Sequence, residues 1–436
     1  MGKRYCSREP WDSILGVNRP NGTSKTWNYQ ENGKLDYPLT VTEDIVKEIL
    51  EDKSKYYPQH FSLYSSRPEE VFEDIEIHQI KDNYHVYPIR VQYIQYFDKN
   101  INTGFSCISP KVLEDVKNKK ALIVVECTTE GQYFKTPGTE FKVIERWRVK
   151  SDLPEYSIIV LTGNYLGPII VKENNLKLKV YSVWSAFMSF FSIPDEYFDN
   201  GKIVEFKPID KNKYFLSFNR QPREHRVLLG YLLWTNKLLD KGKVSLKLPK
   251  QVNHLTENLH PKHFSLNKYK KLHSITPITI DQPLDNNLAN SLPTNLYEQT
   301  FISIITETLT CNGSIFFSEK IWKPISIGHP FILIGNPNSL KFLKELGFKT
   351  FDKWIDESYD SITNMNDKVA FIVNEISKLT RFSEKELISM RQDMEEVLIH
   401  NKLLFYKYFN LYTSKSDFTC PGIHHVVDEY NKLISK

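Results

Sequence analysis

The chain is 436 residues long, beyond the roughly 250–300 residues at which a single core stops growing, so two domains are expected. A composition of 40% hydrophobic and 25% charged residues excludes a disordered chain, and 57 basic against 53 acidic residues leave a charge of +4, which neither requires nor rules out nucleic acid. Five scattered cysteines, Cys6, Cys107, Cys127, Cys311 and Cys420, never form CxxC, which argues against a disulfide framework or a zinc site and for a reducing, cytoplasmic setting.

Residues 1–85 read as a polar, loop-rich N-terminal extension with helical patterns at Thr42–Lys53 and Pro68–Ile80. Its start, MGKRYCSREPWDS, has no apolar stretch of the kind an export signal carries. From residue 86 to 205, apolar runs alternate with helical stretches: HVYPIRVQYI, ALIVVEC (Ala121–Cys127), SIIVLTGN (Ser157–Asn164) and LKVYSVW, which ends at Trp184. Short, nearly continuous β-branched runs of this kind are expected for parallel strands covered by helices on both faces, giving a first Rossmann-like domain. The polar segment Asp195–Lys213 reads as a linker.

A second α/β set, 206–400, begins with YFLSFN (Tyr214–Asn219) and a helix over Glu224–Leu239. Further on, Glu319–Ile327 reads as a helix and Pro330–Ile334 as a buried strand, stopped by Gly335, Asn336 and Pro337. Helices are expected at Asp367–Leu379 and Glu384–Asn401, then a helical tail, 401–436, carrying the aromatic stretch LLFYKYFNLY. The longest apolar runs, such as Ala121–Val125, fall far below the roughly 20 residues of a membrane helix, so no transmembrane segment is expected. The fold class is therefore α/β with two Rossmann-like domains.

Arg220, Arg223 and Arg226 recur every third residue at the strand-to-helix turn FLSFNRQPREHR, where the free amides of a helix start attract anions and a pyrophosphate would fit. The competing reading is a solvated basic helix face. Glu307 ends an apolar run, and Glu319 with Lys320 opens FFSEKIWKP: a carboxylate there can accept sugar or ribose hydroxyls, while Lys320 and Lys323 can neutralise a departing diphosphate. Otherwise Glu319 merely caps a helix beginning near Ser318 and the lysines are exposed.

In the first half, Glu130 follows ALIVVEC and Asn164 ends SIIVLTGN, both at strand carboxyl ends. Glu130 could act as general base toward an acceptor hydroxyl, with Asn164 on the acceptor side, or be an ordinary loop carboxylate; Glu126 and Asp152 are substitutes for it. No HExxH, P-loop or well-placed DxD occurs, so no metal or resident cofactor is expected.

Over residues 214–337 the chain resembles the fucosyltransferase family, whose members carry F-x-x-x-F-E-N-S, then Y-V-T-E-K, then V-P-V-x-x-G; the counterparts here are FISIITET, FFSEK and HPFILIGNP, preceded by FLSFNRQPREHR. Thr308 stands where the family has Asn, Ser318 where it has Thr, and Lys323 and Pro324 are added. The resemblance implies a GT-B fold, two domains facing a cleft, and inverting, metal-independent transfer from a nucleotide-sugar such as GDP-fucose to a hydroxyl of a glycan or similar acceptor. By it Arg226 and Lys320 contact the diphosphate, Glu307 and Glu319 lie against the sugar or ribose, and an N-terminal carboxylate is the base. The competing readings are a nucleic-acid-binding or DNA-base-modifying protein, which the near-neutral charge disfavours, and a non-catalytic structural protein.

Overall fold

A computed structural model describes residues 85–90, 110–127, 139–182, 202–208, 213–248, 259, 262–280, 292–308, 310, 313–414, 429 and 432. Glu130 and the helical patterns at 42–53 and 68–80 lie outside them. The chain divides into two compact units, Met1–Met188 together with Leu411–Lys436, and Ser189–Asn410.

The first unit contains β1 (His85–Arg90), α1 (Pro110–Lys117), β2 (Ala121–Cys127), α2 (Thr139–Lys150), β3 (Ile158–Thr162), α3 (Gly167–Glu173) and β4 (Lys179–Ser182). Its strands form a parallel sheet in the order β1-β2-β3-β4. Ala121–Val125 and all of β3 are buried, as expected of parallel strands with helices on both faces. The apolar stripe of α2, Phe141, Val143, Ile144 and Trp147, is buried. Gly167 lets α3 start against the sheet, since a Cβ there would lie 2.8 Å from Thr162 Cγ2. Glu429, from the C-terminal part of this unit, ion-pairs with Lys179 of β4 and accepts from Tyr181 Oη at 3.1 Å.

The second unit contains β5 (Phe215–Asn219), α4 (Glu224–Thr235), β6 (Gly242–Leu246), α5 (Leu266–His273), α6 (Thr294–Glu298), β7 (Ile302–Thr306), α7 (Glu319–Ile327), β8 (Phe331–Ile334), α8 (Ser339–Glu345), α9 (Met365–Leu379), α10 (Glu384–Asp393) and α11 (Glu395–Ser414), whose last residues belong to the first unit. Its parallel sheet runs β6-β5-β7-β8. α7 has the predicted bounds because its punctuation is local: Ser318 Oγ accepts from Lys320 N, and Gly328 closes the helix in the left-handed region at φ 68°.

Three expectations are corrected. The helix from Glu224 stops at Thr235, because Lys237 turns the chain at φ 58°. The helix expected over Glu384–Asn401 is two, meeting at the buried Met394, whose backbone stays helical at φ −82° and ψ −11°. The strand β6 is additional: GKVSL between lysines is too short and mixed to stand out, and pairing with β5 makes it a strand.

Residues 202–208, expected within a linker, are bound to the second unit. Val204 N donates to Ile327 O and Lys207 N to Glu298 O, each at 2.7 Å, and Arg391 Nη2 donates to Val204 O at 3.1 Å. Among the described residues no helix is long and apolar enough to cross a membrane.

Candidate functional site

The order β6-β5-β7-β8 contains a topological switch. The chain leaves β5 for β6 on one side, then returns to β7 on the other. Connections depart in opposite directions from the carboxyl ends of β5 and β7, which is where open α/β sheets form ligand crevices. Backbone pairing between these strands covers Phe215↔Ile302 and Leu216↔Ser303, at their amino ends. At their carboxyl ends side chains take over: Thr306 Oγ1 donates to Asn219 Oδ1 at 2.9 Å, and Asn219 Nδ2 to Ser217 Oγ at 2.9 Å.

Arg226, in the first turn of α4, points into this junction and is 4% exposed. Its Nη2 donates to Thr306 O at 3.0 Å and Glu307 O at 3.3 Å, and its Nη1 to Gln221 O at 3.1 Å, so the guanidinium ties the end of β7 to the β5–α4 turn. Neighbouring His225 is also buried, with Nε2 2.9 Å from Glu307 O and Nδ1 3.4 Å from Thr310 Oγ1. Burial, followed by the adjacent positive charge of Arg226, lowers His225 to about 3, so the ring is neutral at physiological pH. A carbonyl only accepts, so Nε2 carries the proton and Nδ1 accepts from Thr310. Arg220 and Arg223 are half-buried, so the reading of the series as a solvated helix face does not hold.

Glu307 follows β7 and is 1% exposed. Both its oxygens accept from Ser318 N, at 3.2 and 3.1 Å, and Oε2 also accepts from Thr308 N at 3.3 Å, which closes the β7–α7 loop on itself. Burial raises its pKa, with Lys320 and Ser318 opposing. Lys320 Nζ donates to Glu319 Oε1 at 2.6 Å and to Ser318 Oγ and Thr308 Oγ1, both at 3.3 Å. Burial acts to raise Glu319, but Lys320 and Lys323 outweigh it and hold the carboxyl below its ordinary value. Ser318, not Glu319, caps α7, while Lys320 and Lys323 are half-buried rather than exposed. The structure thus gathers Arg226, Glu307, Ser318, Glu319 and Lys320 around the end of β7 and the start of α7. Cations beside free helix amides suit an anionic ligand, and buried carboxylates suit hydroxyls.

In the first unit, Asn164 lies just past the end of β3 and is 1% exposed. It meets Glu140, in the first turn of α2 and 2% exposed, through a side-chain hydrogen bond. Burial lifts Glu140 from 4.5 to about 7, against its own backbone amide and Asn164. Asp152 is a turn residue at φ 54° whose exposed side chain meets Lys117 at 3.5 Å.

Sequence reasoning missed Asn219, His225, Thr306 and Glu140. Ser217 and Asn219, two apart in an otherwise apolar strand, were a readable signal of a polar stripe within the sheet. Glu140 carried none, because TEFKVIERWRVK reads as an ordinary amphipathic helix. Among the described residues no group of three or more His, Cys, Asp or Glu stands together as a metal-binding set. No protein-family model matches this chain, and no curated protein matches it in sequence.

Proposed function

We propose that the protein is a glycosyltransferase that binds a nucleotide-sugar at the carboxyl ends of β5 and β7 and moves the sugar to a hydroxyl acceptor. The observation that carries this reading is the convergence at the switch point: buried Arg226, neutral His225, buried Glu307 and the Glu319–Lys320 pair at the start of α7. In this reading the α7 amino terminus and Lys320 take the diphosphate, with Lys320 exchanging its 3.3 Å hydroxyl partners for phosphate oxygens, and Lys323 adds charge nearby. Arg226 holds the β7 end in place and presents a positive field, with Arg220 and Arg223 flanking it. Glu307 Oε1 accepts one bond here and has capacity for a second, from a sugar or ribose hydroxyl.

Inverting chemistry, a GT-B arrangement of the two units, independence from metal and GDP-fucose as donor follow from the resemblance and belong to the same proposal. The test is a thermal-shift screen of UDP, GDP, UDP-glucose, GDP-mannose and GDP-fucose in EDTA, followed by assay of nucleoside diphosphate release. A stabilising nucleotide-sugar that is turned over, with both responses reduced in Lys320→Ala, is the expected result. No stabilisation by any nucleotide would sink the reading.

A further inference from the structure

We propose that Glu319 is an internal competitor for the diphosphate seat at the start of α7: its carboxylate holds donors that the ligand needs, and an incoming diphosphate must displace it. The inference rests on the transferase reading above and concerns how tightly, and for which anions, that site opens.

The carboxylate is placed as a bound anion would be. Neighbouring side chains on a helix point about 100° apart and do not ordinarily face each other. Yet Lys320 Nζ donates to Glu319 Oε1 at 2.6 Å, and the same ammonium reaches Ser318 Oγ and Thr308 Oγ1, both at 3.3 Å and both from residues that precede α7. The two side chains therefore turn back over the amino end of the helix. There the Glu319 carboxylate also accepts from its own backbone amide, the first of α7, in the positive field of the helix dipole. A helix-start amide and a lysine ammonium are the donors that a phosphate oxygen takes.

The neighbouring donors are engaged as well. An ammonium has three N–H bonds, and Lys320 spends them on Glu319, Ser318 and Thr308. Lys320 N donates to Ser318 Oγ at 3.3 Å, and Ser318 N to the two oxygens of Glu307 at 3.2 and 3.1 Å. A ligand must therefore replace an acceptor of the protein's own. Glu307 is 1% exposed and held by the amides of Ser318 and Thr308, and the hydroxyls are neutral. Glu319, with its side chain 20% exposed and under the pull of Lys320 and Lys323, is the charged acceptor that can turn out to water. A singly charged anion would exchange one carboxylate-like partner for another and gain little. A diphosphate brings more charge and more acceptor oxygens, so it wins the exchange. Glu319 in this way closes the seat to ambient monoanions and sets the affinity for the diphosphate, in place of the sugar or ribose contact that the fucosyltransferase resemblance implies for it.

The test is calorimetric titration of the full chain, in EDTA, with inorganic pyrophosphate, GDP, UDP and the nucleotide-sugars of the screen above. Wild type is compared with Glu319→Gln, which keeps the length and an acceptor oxygen but not the charge. The Kd for pyrophosphate and for the nucleotide that binds should fall about 5–10-fold, by the same factor with and without the sugar. Glu319→Ala, which removes the acceptor as well, should also tighten binding. Unchanged or weaker binding of pyrophosphate and nucleoside diphosphate in Glu319→Gln, or in Glu319→Ala should the glutamine variant fail to fold, overturns this proposal alone. A change confined to the nucleotide-sugars does the same, because it assigns Glu319 to the sugar. Binding by the variants but not by the wild type supports the proposal. No binding by any of the three proteins overturns the transferase reading and this proposal with it.

Discussion

The two units are built from the same kind of strand and put it to different use. In the first, β1-β2-β3-β4 follow chain order, so each crossover lands beside the strand it left; in the second, β6-β5-β7-β8 reverses direction at β5. At that reversal the second unit buries Asn219, His225, Arg226, Thr306 and Glu307 together, whereas in the first the buried Glu140 and Asn164 meet past the end of β3 while Arg148 and Glu429 are buried elsewhere. Apolar strands make both sheets; the order of their connections decides where a crevice opens.

Acid should separate the units most strongly. His225 and His329, both in the second unit, are lowered to about 3, His329 by burial and then by Arg391. Between pH 6.5 and 3 the unfolded chain binds protons that the folded chain refuses, so the second unit loses stability as pH falls. By pH 5 the loss is about 2 kcal/mol for each histidine. Glu140 has the opposite sign: its contribution is present below 4.5 and lost as pH rises to about 7. Hydrogen exchange read unit by unit at pH 5 and 8 should show the second unit weakened at pH 5 and the first at pH 8. Parallel behaviour would break the contrast.

Arg226→Leu strips the Thr306, Glu307 and Gln221 carbonyls of a buried donor and should cost about 3 kcal/mol or more in urea unfolding. A loss below about 1 kcal/mol would mean that the switch point does not depend on it. Lys320→Ala, at a half-buried side chain, should change stability by less than about 1 kcal/mol while reducing donor turnover about 10²–10³-fold. Glu140→Gln should stabilise the protein by about 3 kcal/mol at pH 8 and by nothing near pH 4, measured by denaturant titration at both.

The smallest effects come from a matched pair of glycines. In Gly230→Ala the new Cβ would lie 2.7 Å from Leu246 Cδ1 and Cδ2, and in Gly167→Ala 2.8 Å from Thr162 Cγ2. Crowding should cost about 1–2 kcal/mol at each, offset more at Gly230, which lies inside α4 where alanine favours the helix by up to about 1 kcal/mol. Thermal denaturation of both variants checks the ranking.

Much of the fold was legible because it was local. The runs ALIVVEC and FILI are strands, and α7 has the expected bounds, Glu319–Ile327, with Ser318 as its cap and Gly328 in the left-handed region after it. The spacing of Arg220, Arg223 and Arg226 marked a strand-to-helix turn, but not which of the three would be buried. Glu307 and Lys320 were legible as candidates, while their shared partners, Thr308 and Ser318, depend on how the β7–α7 loop closes.

The amino-acid sequence alone determined element type, approximate bounds and the alternating α/β plan, because hydrophobic periodicity, β-branching and capping act over a few residues. Tertiary structure alone decided the order β6-β5-β7-β8, the strand status of GKVSL, the burial of Arg226 and the meeting of Glu140 with Asn164. Each of these depends on which distant segments pack together, and burial is what turns an ordinary Glu, His or Arg into a group with an altered charge and a fixed direction.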